Sequence, residues 1–121
     1  MGAMPEESPL DAATLRGLRA LDPTGGDEVL REIAAIYLED TPLRLRDLED
    51  AAAAKHTERF IRAAHSLKGS SASLGVTAMR LAAEKAESAA RTSGLAAGVV
   101  YLPALRAAWN SSEAPLRRLL G

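Results

Sequence analysis

The chain has 121 residues, enough for one domain around one core, with 15 basic residues against 16 acidic ones and a net charge of -1. That balance gives no electrostatic footprint for nucleic acid or an anionic membrane, and the absence of cysteine excludes disulfides and thiolate metal sites. Apolar residues make up 47% of the chain but aromatics only 3%, and the many alanines suit closely packed helices better than a sheet.

No apolar run approaches the length that spans a bilayer, and no charged-then-apolar signal opens the sequence, so a cytoplasmic location is expected. Met1-Gly2-Ala3-Met4 reads as an added leader ahead of a second methionine. Residues 1–9 are accordingly assigned to a flexible leader and residues 10–121 to one folded domain.

Asp11 is a good N-cap, with Leu10 placed to staple onto Leu15 across it, and opens a short helix to about Leu21. Asp22-Pro23-Thr24-Gly25-Gly26 reads as a turn. Asp27 caps the next helix, whose apolar positions include Val29, Leu30, Ile33, Ile36 and Tyr37. Thr41-Pro42 interrupts that pattern, which resumes at Leu43, Leu45, Leu48 and Ala52, so one long helix kinked near Pro42 is expected. Lys55-His56-Thr57 is a connection, with Thr57 as N-cap of a helix that ends near Gly75.

Thr77 caps a fourth helix, with Val76 stapling to Leu81 and an inner face of Met79, Ala82, Ala83, Ala86 and Ala90. Thr92-Ser93-Gly94 is a turn, and Leu95 to Trp109 form the last main helix, whose start or straightness Pro103 disturbs. Asn110-Ser111-Ser112 ends it, and Pro115 to Leu120 add one turn. Short connections between amphipathic helices make antiparallel neighbours. The expected fold is all-α, an antiparallel four-helix bundle with an additional short N-terminal helix. Its core consumes the one apolar stripe of each helix, so the chain is expected to be a monomer.

Chemistry concentrates in the third helix. At 100° per residue its apolar stripe is Phe60, Ala64, Leu67, Ser71 and Leu74. His65 falls roughly 140° from the centre of that stripe and so faces solvent. One turn on stand Lys68, which brings a positive charge, and Gly69, which removes a side chain. A glycine inside a helix costs about 1 kcal/mol relative to alanine, and clear access to His65 is a physical compensation. Taken alone, a helical histidine is more often structural or merely exposed. The fixed company of Lys68 and Gly69, together with the resemblance that these residues carry, turns the reading toward function.

The run Ala64-His65-Ser66-Leu67-Lys68-Gly69-Ser70-Ser71, followed by Leu74-Gly75, resembles the signature of histidine-containing phosphotransfer (HPt) domains, which relay phosphoryl groups between receiver domains in multistep two-component signalling. Ile36-Tyr37-Leu38-Glu39-Asp40 resembles the family's preceding helix, and Ala86-Glu87 stands where many bacterial members have Leu-Glu. The similar region runs from about Leu10 to about Arg91. The resemblance implies that His65 accepts the phosphoryl group on Nε2, that Lys68 neutralises its charge and that Gly69 keeps access open. It implies receiver domains of a hybrid kinase or response regulator as partners, with the divalent cation, Mg²⁺, on the receiver and no cofactor on this chain. It also implies a phosphocarrier rather than an enzyme.

Ile61, one turn before His65 on the same side, is the first candidate for receiver docking, with Arg62, Ala64 and Ala72 after it. Arg59 and Arg62 either raise the local potential or pair with Glu58. His56 reads as a junction residue and Glu87 as a bundle-edge carboxylate rather than a base. Ser66, Ser70, Ser71 and Ser73 have no Asp/His arrangement that would make a hydrolase, and no Gly-rich phosphate loop, carboxylate cluster or ATP site is present in the sequence. Two rivals stand beside the carrier. One is the phosphoacceptor and dimerisation fragment of a histidine kinase, where an acidic residue typically follows the histidine but Ser66 follows here. The other is a helical interaction module that has lost phosphotransfer, against which the joint presence of His65, Lys68 and Gly69 argues.

Overall fold

A computed structural model describes residues 9–121; the expected leader lies outside the described residues, apart from Pro9. The described chain is all-helical: α1 (Ala12–Arg19), α2 (Glu28–Ala53), α3 (Thr57–Leu74), α4 (Thr77–Ser93), α5 (Leu95–Val99) and α6 (Leu102–Arg118). Around the core, α3 lies against α2 and α4, α6 lies against the same two helices, and α1 packs on α2 and α3. No helix among the described residues is long and apolar enough to cross a membrane.

The stripes read from the sequence are the buried ones. Phe60, Ala64, Leu67, Ser71 and Leu74 of α3 are all buried, and so are Met79, Ala82, Ala83, Ala86 and Ala90 of α4. Each large apolar side chain removed from water in this way stabilises the fold by about 1.5–3 kcal/mol. The core contains one polar seam: the Tyr37 hydroxyl is 2.7 Å from Ser71 Oγ, and the Thr41 hydroxyl donates to the Tyr37 carbonyl at 2.6 Å. That seam explains a serine in the middle of an apolar stripe, since a buried hydroxyl needs a partner.

Asp11 caps α1 as its side chain suggests, accepting from the Thr14 amide. α2 is continuous through Pro42. Gly75 ends α3 in the left-handed conformation at φ 74°, and a side chain there would also strike Thr14. Its carbonyl accepts from the Asp11 amide at 2.7 Å, while the Thr77 amide donates to the Pro9 carbonyl. The N-terminal segment is thereby tied to the α3–α4 turn.

Several expected boundaries move. His56, not Thr57, caps α3: its Nδ1 accepts from the Arg59 amide at 3.2 Å. Val76 precedes α4 and Thr77 is its first residue; Val76 is buried, whereas Leu81, its expected staple partner, is exposed. Ile36 and Leu43, part of the apolar pattern of α2, are exposed at 60% and 62%. α1 stops at Arg19 rather than Leu21.

The last helix is not one piece from residue 95 and does not end at 110–112. It breaks after α5 and restarts at α6, where Pro103 sits in the first turn, its missing N–H costing nothing there. α6 then runs through Asn110, Ser111 and Ser112 and past Pro115, with Ser112 fully buried. Gly98 sets how closely α5 packs. A Cβ on it would lie 2.8 Å from the Phe60 ring and 2.9 Å from both the Ala86 carbonyl and Ala90. α5 is therefore pressed onto α3 and α4 at a point only glycine can occupy.

Gly98→Ala is expected to destabilise the fold by about 1–3 kcal/mol, since backbone as well as side chain must give. Gly17→Ala, where a methyl would meet nothing within 4 Å, is expected to stabilise it by up to about 1 kcal/mol. Chemical denaturation of the two variants checks this, and equal effects would contradict the close approach of α5.

Candidate functional site

His65 stands in the middle of α3 on the side turned from the core, with its side chain 62% exposed. Its ring is held from one side only. Nδ1 lies 3.0 Å from Oε2 of Glu87 on α4. The Glu87 side chain is only 7% exposed and collects two cations besides. Lys68 Nζ is 2.7 Å from Oε1. Arg91 brings Nε to 3.0 Å and Nη2 to 2.9 Å of Oε2.

These contacts decide protonation. Burial raises the Glu87 pKa, but hydrogen bonds from Lys68, Arg91 and His65 outweigh it and pull the carboxyl down to about 2. Glu87 is thus a carboxylate at neutral pH and can only accept. The hydrogen between it and His65 must sit on Nδ1. In the neutral ring, Nε2 then carries the lone pair, on the edge of the imidazole away from Glu87. The site presents one oriented nitrogen nucleophile with no base needed to expose it.

Gly69 leaves the surface beside the ring open: a Cβ built on it meets nothing within 4 Å. On the same outer side of α3, Arg62 and Ala72 are exposed and Ile61 is half-buried. Ile61 and Arg62 line a shallow cleft with Glu58 and Arg91. A second cleft between α2 and α3 is lined by Leu43, Arg44, Asp47, Arg59, Arg62, Ala63 and Ser66.

Three expectations are corrected. Ala64 is fully buried, as its place in the apolar stripe requires, and so takes no part in a docking surface. Arg59 pairs with Asp47 across the α2–α3 cleft rather than with Glu58. Glu87 is no edge carboxylate: it is buried and joins His65, Lys68 and Arg91. Lys68, expected beside a phosphate, has Glu87 as its partner here. The sequence carries a signal for this hub. Glu87 follows Ala83 by four residues and precedes Ala90 by three, which places an acid on the inner face of α4, with Arg91 one turn further.

The Hpt domain family model matches residues 32–114, a span that starts later than the similarity seen in the sequence and extends through most of α6. No curated protein and no solved structure matches the chain. The chain belongs to the Hpt domain family, whose members carry out histidine phosphotransfer in phosphorelays as phosphocarrier modules and partner with receiver domains.

Because Glu87 is ionised well below its ordinary pKa of 4.5, its contribution to stability is complete above about pH 4.5 and is lost as the pH falls toward 2. Between pH 5 and pH 2.5 the wild type is expected to lose up to about 3 kcal/mol that Glu87→Gln does not lose. Urea unfolding of both proteins across that range checks this, and parallel pH curves would contradict it.

Proposed function

We propose that this domain is a phosphocarrier that accepts a phosphoryl group from a receiver aspartyl-phosphate onto Nε2 of His65 and passes it to the aspartate of another receiver. The observation that supports this best is the 3.0 Å contact between His65 Nδ1 and the buried Glu87 carboxylate, which orients the lone pair outward.

The Nε2 lone pair attacks phosphorus in line with the leaving carboxylate. The Nε2–P bond forms, the P–O bond to aspartate breaks, and its electron pair returns to the aspartate. Nδ1 keeps its hydrogen throughout, so the ring acquires positive charge as the new bond forms. Glu87 faces that charge from 3.0 Å and stabilises it, as a preorganised carboxylate does for an imidazolium. No proton has to be moved in either direction, which suits a reversible carrier. Lys68, one turn from His65, offsets part of the phosphoryl charge. The receiver supplies the acid pocket and its Mg²⁺.

Receiver docking is assigned to the outer face of α3 around His65, with Ile61, Arg62, Gly69 and Ala72, and to the exposed Leu43 and the neighbouring Arg44 of α2 across the cleft. The reading also takes α2, α3, α4 and α6 as an antiparallel four-helix bundle, residues 10–121 as one domain, and a monomer in the cytoplasm, since each long helix turns its apolar stripe to one shared core.

His65→Gln is expected to abolish phosphoryl acceptance from a labelled receiver while the domain stays folded, at a cost of no more than about 1–3 kcal/mol because the buried Glu87 carboxylate loses one of its donors. Gly69→Ala is expected to stabilise the helix by up to about 1 kcal/mol with modest loss of transfer. Gly69→Leu keeps most of that gain but slows transfer at least about tenfold, because its side chain lies one turn from the ring. Transfer kinetics with thermal unfolding check the series. Wild-type labelling of His65→Gln overturns the acceptor, and wild-type rates for Gly69→Leu overturn the access argument.

A further inference from the structure

The cations around Glu87 do not share it evenly. Lys68 holds Oε1 at 2.7 Å, while Oε2 takes His65 Nδ1 and both Arg91 nitrogens. An arginine engages a carboxylate best as a fork, one nitrogen on each oxygen. Here both nitrogens crowd one oxygen, and Lys68 sits on the other. The Lys68 side chain is 32% exposed and that of Arg91 55%, so both can shift without unpacking the core. Arg91 stands four residues after Glu87 on the same helix, so its reach does not depend on how α3 moves.

We propose that Arg91 is the standby partner of Glu87: when His65 carries a phosphoryl group, Lys68 leaves Oε1 for the phosphoryl oxygens and Arg91 slides into a two-oxygen fork that keeps the buried carboxylate paired. The proposal rests on the reading of His65 as the acceptor. A phosphoryl group adds about 1.5–2 negative charges beside the site, and Lys68 is the ammonium one turn away on the same helix. Its departure would strip one oxygen of a buried carboxylate of its partner, an arrangement that buried ions do not tolerate. Arg91 removes that obstacle and so frees Lys68 to follow the phosphoryl group. It is a positioning residue, holding Glu87 and through Glu87 the imidazole.

The test uses phosphoramidate, which needs no protein partner: Nε2–P forms, the donor's P–N bond breaks and ammonia leaves. Thermal midpoints are measured for the free and phosphorylated forms of wild type, Arg91→Ala and Arg91→Lys. Arg91→Ala is expected to lower the midpoint of the phosphorylated form by at least about 4 °C more than that of the free form. Arg91→Lys, a point charge that covers one oxygen at a time, falls between wild type and Arg91→Ala, and it carries the test if Arg91→Ala does not fold. An equal loss in both forms, with His65 labelled normally, marks a purely structural ion pair and overturns the proposal alone. Arg91→Lys matching wild type in both forms overturns the fork. Failure of phosphoramidate to label His65 in the wild type overturns the reading of the acceptor, and the proposal with it.

Discussion

The structure around the site depends on one buried carboxylate. Glu87 joins α4 to α3 through His65 and Lys68 and is held on its own helix by Arg91. A carboxylate buried to this extent without partners would cost several kcal/mol; with three donors it stays ionised instead, its pKa drawn down to about 2 against the pull of burial. The alanines on the inner face of α4 matter to this arrangement. Ala83, Ala86 and Ala90 are buried and let α4 approach α3 closely enough for a glutamate side chain to reach across to an imidazole on the far side of the stripe.

Rigidity in the fold and openness at the site come from different glycines. Gly98 lets α5 press onto Phe60, Ala86 and Ala90, and Gly75 turns the chain between α3 and α4 while leaving room for α1. Both sit where a side chain would collide. Gly69 sits where a side chain would meet nothing, so the protein itself gives no packing reason for it. Its cost to the helix is offset by no packing of its own, which agrees with a carrier whose partner needs room beside His65.

Most of the helical architecture could be read from periodicity. The stripes of α3 and α4, the cap at Asp11 and the turn at Gly75 follow from local rules that tertiary contacts did not overrule. Exposed Ile36 and Leu43 show the limit: hydrophobicity along α2 does not say which apolar residues the neighbours cover. The last helix was misdivided for the same reason. Ser111 and Ser112 look like a stop, but the Ser111 hydroxyl donates to the Ala108 carbonyl at 3.1 Å and the helix continues through Ser112 to Arg118. At the site, His65, Lys68 and Gly69 were legible because they share one face at fixed spacing. The roles of Glu87 and Arg91 were not, since they depend on which face of α4 meets α3, a long-range fact. Ala64 belongs to the buried stripe by its own periodicity, and burial rather than docking is what its position supports.

The central claim is that Glu87 fixes the tautomer of His65. The direct measurement is the pair of ¹⁵N shifts of the neutral His65 ring in the folded protein, in wild type and in Glu87→Ala. The account predicts a single neutral tautomer in the wild type, with hydrogen on Nδ1 and a bare Nε2, and a shift toward the Nε2–H form usual for free imidazole when Glu87 is removed. A wild-type ring protonated on Nε2, or shifts unchanged by Glu87→Ala, would contradict it.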